Sequence, residues 1–380
     1  MIPVRPAINA VFLEPGMGGL ETYVRELTPE LLRAAPGMRL TIVCNPIGRE
    51  LLAAEPWADE VELLVHPLIG RRGTRAISEL TVLGALASRR FDVLHSVALT
   101  GPLRTRAAHV VVLADVTWIV EPTYGKGQSA TVRLWQALVP QVARRADRVI
   151  AISRAGAAHV REHLGLAADR IDVVPLAHGV RVTAQPLAED ELRRRFGLGE
   201  GRLVLTVGAK KVHKNQIALI RALPGLHERH PDATLVLAGA PTPHEEELRS
   251  EAARLGVDGA VRFLGYVSDE ELEGLYRAAT VFALPSLNEG FGIPLLEAMA
   301  RDLPVACANV SALPEVVGDA ALQFDPRASD EIADVLARLL EDAPLRAELV
   351  RRGRGRLDVF SWQRTAQGTL ESWSRALTGR

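Results

Sequence analysis

Short apolar runs recur along the chain, separated by stretches in which apolar positions return every three or four residues. The runs at 7–13, 40–44, 61–65, 93–94, 110–113, 149–152 and 171–174 are dominated by apolar residues, with only Asn9, Thr41, Glu62 and Asp172 among them, as in strands largely covered on both faces. Between several of them, 20–35, 76–88 and 131–146 have helical spacing. The rhythm lapses over 178–190, where Gly179 and Pro186 interrupt it, and then restarts. Strands are predicted at 203–207, 234–238, 261–264, 280–284 and 305–308, and helices at 214–223, 244–255, 269–278, from Pro294, and at 330–341. Strands alternating with helices predict parallel sheets, and the lapse predicts two of them: an α/β protein of two doubly wound, Rossmann-like domains, 1–178 and 179–359. The last segment, 362–377, has helical spacing and carries Trp362, Leu370 and Trp373, an apolar side expected to dock. Two such domains face to face would enclose a cleft. Ligands of open parallel sheets sit beyond the carboxyl ends of the strands, so the loops that follow strands are where chemistry is expected.

Composition narrows the class. With 48% hydrophobic and 24% charged residues the chain is of the globular kind, and 380 residues are too many for one ordinary core. The formal net charge of -1 lacks the basic surplus of a nucleic-acid binder, so no nucleic-acid partner is expected. Two cysteines, Cys44 and Cys307, exclude a disulfide framework and a cysteine-only zinc site, and fit a reducing compartment. Prolines at positions 3 and 6 break the start before an apolar signal core forms. The longest apolar run, near 109–120, contains Asp115 and falls short of the roughly 18 residues a membrane span needs. These features predict a cytoplasmic protein. Arginines gather in the first domain (Arg71, Arg72, Arg75, Arg89, Arg90, Arg104, Arg106, Arg144, Arg145, Arg148). On one face they would seat it peripherally on the inner, anionic face of the cell membrane; scattered among Glu79, Asp92 and Asp147, they are a solvated surface.

Three loops carry candidate chemistry. The first strand ends in Glu14-Pro15-Gly16-Met17-Gly18-Gly19 before a helix, where bare backbone and a helix N-terminus suit a phosphate; the same glycines also make a tight turn. The loop after 203–207 reads Gly208-Ala209-Lys210-Lys211-Val212-His213-Lys214-Asn215, a cation cluster suited to a diphosphate or a solvated basic loop. After 280–284 comes Pro285-Ser286-Leu287-Asn288-Glu289-Gly290-Phe291-Gly292-Ile293-Pro294-Leu295-Leu296-Glu297-Ala298. Pro294 suits the first helical position, which puts Glu289 in the loop and Glu297 in the first helical turn. There Glu297 would accept two ribose hydroxyls, or simply complement the helix dipole.

Together these stretches resemble glycosyltransferase family 4, retaining enzymes of the GT-B fold, over nearly the whole chain. The strongest part is 285–300, similar to the family's E-x7-E motif. Leu303-Pro304-Val305-Ala306, Leu313-Pro314-Glu315-Val316-Val317-Gly318-Asp319, Ala146-Asp147-Arg148-Val149-Ile150-Ala151-Ile152-Ser153 and Phe360-Ser361-Trp362 also fit. The resemblance implies a hexosyl transfer from a nucleotide-diphosphate sugar, GDP-mannose-like or UDP-linked, to a glycan, lipid-linked or small-molecule acceptor. It implies no cofactor and no metal. Gly18 and Gly19 would face the donor from the first domain. Lys210 and Lys214 would meet the diphosphate. Glu289 would hold sugar hydroxyls with the backbone of Gly290, Phe291, Gly292 and Ile293, and Glu297 the ribose. Asp115 would serve the acceptor side, and 360–380 would complete the first domain.

Two positions depart from the family pattern. The arginine expected before Lys214 is replaced by Ala209 and His213, and lysines at 210 and 211 cannot copy its bidentate fork. The expected His-Asp pair reads Ala114-Asp115, with His95 and His178 as distant substitutes. Two other functions share the fold: a sugar-nucleotide epimerase, and a non-catalytic nucleotide-sugar-binding partner of another transferase. The paired Glu289 and Glu297 argue against both.

Overall fold

The computed structural model describes residues 5–14, 18–69, 75–98, 100–114, 130–179 and 185–379. Two compact units emerge, Met1–Gly179 with Phe360–Arg380, and Val180–Val359.

The first unit holds a seven-stranded sheet of β1 (Pro6–Ala10), β2 (Thr41–Cys44), β3 (Glu62–Val65), β4 (Val93–Ser96), β5 (Ala108–Leu113), β6 (Arg148–Ala151) and β7 (Ile171–Val173). All pairings are parallel, in the order β3-β2-β1-β4-β5-β6-β7. The central strands β1, β2, β4 and β5 are buried at every position, which is why apolar residues dominate them; the polar side chains they do carry, such as Asn9 and His95, are buried as well. β1 is shorter than the run predicted for it, because the chain turns after Ala10, with Leu13 N–H donating to Ala10 O. The helix expected over 76–88 is two, Arg75–Leu80 and Val82–Arg90, broken at Thr81.

The C-terminal helix Trp362–Thr378 packs in this unit against the helix Gly19–Ala34. Its apolar side carries a buried polar pair. Trp373 Nε1–H donates to His95 Nδ1 (3.1 Å), and His95 Nε2 lies 3.1 Å from the Tyr23 hydroxyl. An indole can only donate, so His95 Nδ1 is the acceptor and the ring is held neutral. Burial, then the neighbouring His109, push the His95 pKa down to about 3. Trp362 Nε1–H donates to His178 O (2.8 Å) and Thr365 to Pro175 O (2.8 Å), which ties the helix to the end of the first unit's chain.

The second unit holds a six-stranded parallel sheet of β8 (Leu203–Val207), β9 (Thr234–Ala238), β10 (Val261–Phe263), β11 (Val281–Leu284), β12 (Val305–Ala308) and β13 (Ala321–Phe324). Their order is β10-β9-β8-β11-β12-β13. In both sheets the order reverses once, between β1 and β4 and between β8 and β11. At such a switch point neighbouring loops diverge and leave room for a ligand beyond the strand ends.

Among the described residues, no helix is long and apolar enough to cross a membrane. Several first-unit arginines are consumed locally: Arg75 with Glu79, Arg90 with Glu62, and Arg148 with Asp172. Arg71 and Arg72 lie outside the described residues.

Candidate active site

At the switch point of the second sheet, the loops after β8 and β11 meet. The β8 loop does not run into a helix at Lys214 as predicted. Val212–Lys214 form a single 3-10 turn, and Asn215 takes a left-handed conformation (φ 53°) before the helix Gln216–Arg229. Asparagine tolerates this region better than most residues, and here its side chain is satisfied: Nδ2 donates to Pro285 O (3.0 Å) and Pro326 O (2.9 Å). A further bond from Leu287 N–H to His213 O (2.8 Å) ties the two loops together.

This geometry aims Lys214 at Glu289. Lys214 Nζ lies 2.7 Å from Glu289 Oε1, and the Ser286 hydroxyl donates to the same oxygen at 2.7 Å. Among the described residues Glu289 Oε2 has no partner and remains an open acceptor. The Glu289 backbone is fixed as well, its carbonyl 2.7 Å from the Ser311 hydroxyl.

Lys210 does not join this cluster. It is fully buried, and its ammonium donates to Gly239 O (2.6 Å) and Leu264 O (2.5 Å), with Glu245 at 3.5 Å. Burial lowers its pKa, and Glu245 opposes that shift. With its protons committed to the loops after β9 and β10, Lys210 braces strand ends instead of facing a donor, which corrects the expectation from sequence. Lys211 is exposed.

Gly290, Phe291 and Gly292 lead into the helix Ile293–Met299. Gly292 has φ 104°, a conformation that favours glycine, and a Cβ there would also have to displace the end of the Leu313 side chain, 2.8 Å away. The helix begins at Ile293, with Pro294 second, so Glu297 falls beyond the first turn, contrary to the expectation. A helix-dipole role for Glu297 weakens accordingly, since that effect fades within a turn.

What holds Glu297 is a set of residues that motif reading missed. The Tyr276 hydroxyl donates to Glu297 Oε2 (2.9 Å), and Arg301 donates to the Glu297 backbone O (3.0 Å). The Arg301 guanidinium lies 4.5 Å from the Tyr276 ring centroid and bonds Glu273 Oε2 at 2.6 Å. Burial raises the Glu297 pKa, while the Tyr276 hydrogen bond and the Arg301 charge pull it back. Burial, then the Glu297 charge, keep the Tyr276 phenol protonated well above its ordinary range. Among the described residues Glu297 Oε1 has no partner.

In the first unit, Gly18 precedes the helix Gly19–Ala34 with φ 59° and ψ -129°. That conformation is essentially restricted to glycine. Both Gly18 and Gly19 are exposed at the carboxyl side of β1. Asp115 lies outside the described residues; Ala114 is partly buried just past β5. His95 is a core residue, as its bonds to Trp373 and Tyr23 require.

Comparison with known proteins agrees with this architecture. Residues 17–177 match the model of Glycosyltransferase Family 4, and 188–356 that of Glycosyl transferases group 1. The chain is 36% identical over 211 residues to O-antigen chain mannosyltransferase B of Escherichia coli, covering 54% of this chain and 55% of that protein. It is 31% identical to D-inositol 3-phosphate glycosyltransferase of Acidothermus cellulolyticus, covering 100% of this chain and 92% of that protein. The chain spans about half the length of several relatives it matches. Among solved structures, Anabaena HepE in complex with UDP and glucose superposes with a TM-score of 0.73 at 21% identity, covering 98% of this chain and 99% of HepE. Two parallel α/β units with this sequence match make the fold GT-B, and the chain belongs to glycosyltransferase family 4, the glycosyl transferases of group 1.

Proposed function

We propose that this glycosyltransferase moves a hexose from a nucleoside-diphosphate sugar, GDP-mannose-like or UDP-linked, with retention of anomeric configuration and without a metal. The observation that carries the reading is the meeting of Lys214 and Glu289 at 2.7 Å at the switch point of the second sheet. In this reading Lys214 meets the diphosphate, and the open oxygen of Glu289 takes sugar hydroxyls beside the backbone of Gly290, Phe291, Gly292 and Ile293. Glu297 takes the ribose through Oε1. Gly18 and Gly19 approach the donor from the first unit, and Asp115 serves the acceptor. The bond from the anomeric carbon to the β-phosphate oxygen breaks as the acceptor oxygen bonds on the same face. The acceptor's proton passes to the departing phosphate. Lys214 offsets the charge that grows on that diphosphate, the role a metal plays in other transferases. The mannosyltransferase among the relatives and the UDP and glucose of HepE support a hexose donor. The acceptor is a glycan, a lipid-linked saccharide or a small molecule. A lipid-linked one would be met at a membrane face, by first-unit arginines such as Arg89 and Arg104 that lack a carboxylate partner among the described residues.

The test is a thermal-shift screen against UDP, GDP, ADP and TDP and their hexose conjugates, with chelator present. Ligand at 100 times Kd stabilises the native state by about 2.7 kcal/mol, so one base should raise the midpoint clearly. No rise with any would refute the donor site. Release of nucleotide only when an acceptor is added separates a transferase from an epimerase.

A further inference from the structure

We propose that Tyr276 and Arg301 are positioning residues that set the ligand-binding geometry of Glu297; the inference rests on the reading that Glu297 receives the donor ribose. Glu297 sits on a helix of 7 residues and past its first turn, so the helix alone does little to orient a side chain able to adopt several rotamers. The Tyr276 hydroxyl supplies the missing constraint from the neighbouring helix Asp269–Ala278, by occupying Oε2 and leaving Oε1 open. Tyr276 is itself immobile. It is 1% exposed, packs beside Phe282 of β11, and lies against the Arg301 guanidinium.

Arg301 is fixed in turn by three contacts. It bonds Glu273 Oε2, donates to the Glu297 carbonyl, and stacks on Tyr276. Glu273 is buried, and its other oxygen accepts from Arg277 at 2.8 Å. Burial pushes the Glu273 carboxyl upward, but its two arginines outweigh that and hold it below the ordinary range. The chain Arg277, Glu273, Arg301, Tyr276 and Glu297 therefore joins the helix that precedes β11 in sequence to the helix that follows it and the turn beyond. Its end point is one carboxylate oxygen presented in one direction. A vicinal diol is served best by such a fixed acceptor, because both hydroxyls must reach the lone pairs of one oxygen at once.

The experiment uses UDP and GDP, each against its 2′,3′-dideoxy counterpart, titrated calorimetrically into the full chain. The parent should prefer the ribose form. Tyr276→Phe removes the hydroxyl and keeps the ring against Arg301. It should weaken the ribose form by about tenfold, the size of one lost hydrogen bond, and leave the dideoxy form unchanged. Arg301→Lys should weaken the ribose form in the same direction. In turnover, Tyr276→Phe should raise KM for the donor with little change in kcat. Equal weakening of both forms would mean a general structural role and would overturn the proposal, as would no weakening of either. Glu297→Ala separates this from the underlying reading. If it abolishes the preference for ribose while Tyr276→Phe preserves it, the positioning proposal alone fails. If Glu297→Ala keeps the preference, the assignment of Glu297 to the ribose fails.

Discussion

Replacing Lys214 with alanine should separate a binding role from a structural one. Lys214 is 23% exposed and Glu289 11%, with 2.7 Å between their charged atoms. Two unit charges about 4 Å apart attract by roughly 4 kcal/mol at an effective dielectric near 20. Desolvation and solvent screening at a partly open site reduce the net to about 1 kcal/mol or less. Glu289 also keeps the Ser286 hydroxyl at 2.7 Å, so the loop retains an anchor. Lys214→Ala should therefore lower the unliganded melting midpoint by only about 2–4 °C. The liganded state loses more. A diphosphate would forfeit a charge-assisted hydrogen bond and would face Glu289 with its charge uncompensated. Truncating one partner of such a pair costs roughly 2–4 kcal/mol, or about 30- to 1,000-fold in Kd. Calorimetric titration with the nucleoside diphosphate identified by the thermal-shift screen gives the affinity, and a ligand-free melt gives the stability. Lys214→Arg should recover part of the binding. If Lys214→Ala binds the diphosphate within about threefold of the parent, roughly the scatter of an exposed pair, Lys214 is only a bridge between loops and the donor assignment is wrong.

Two further predictions address residues whose roles the fold decides. Lys210→Met leaves the Gly239 and Leu264 carbonyls without their donor, and should cost roughly 2–4 kcal/mol of stability, read as a lower urea midpoint. Nucleotide affinity of the folded variant should stay within about twofold of the parent, since a loss beyond that, more than about 0.4 kcal/mol, would place Lys210 at the ligand after all. His95, with its pKa down at about 3, stays neutral in the folded chain while the unfolded chain takes up a proton below about pH 6.5. Its contribution is thus complete above pH 6.5 and is lost at up to about 1.4 kcal/mol per pH unit as pH falls toward 3. The stability difference between the parent and His95→Gln should shrink from pH 7 to pH 4 in urea titrations. A constant difference would show that His95 titrates alike in both states.

The alternation of apolar runs and helical spacing made the parallel sheets legible, because strands such as Leu203–Val207 and Thr234–Ala238 are covered on both faces and are apolar but for one threonine each. The edge strand Ala321–Phe324 escaped that reading. It is 4 residues long, and the partly exposed Leu322 and Gln323 at its centre break the buried run. The helix Ala343–Val359 escaped too. Its sequence is dense in arginine and glycine, and only Leu349 and Gly353 are buried, so no apolar stripe announces it.

Within the site, legibility followed chain distance. Glu289 and Glu297 sit in one continuous stretch with their glycines, and the resemblance of that stretch to the family's E-x7-E motif pairs them. Tyr276 reaches Glu297 only because β11 runs between their helices and returns the chain 21 residues later to the same side of the sheet. Arg301 reaches Glu273 across 28 residues for the same reason. The lysines show the limit most sharply. Lys210, Lys211 and Lys214 lie within five positions and are one residue type, so composition and charge treat them alike. The backbone separates them. The 3-10 turn at Val212–Lys214, closed by the left-handed Asn215, sends Lys214 to Glu289, while the Lys210 backbone N–H pairs with Ala240 O and its ammonium enters the unit. A cation cluster in a sequence is therefore evidence that a loop is basic. Which of its charges a ligand meets is decided by turn geometry, and here that geometry rests on one asparagine side chain bonded to Pro285 and Pro326.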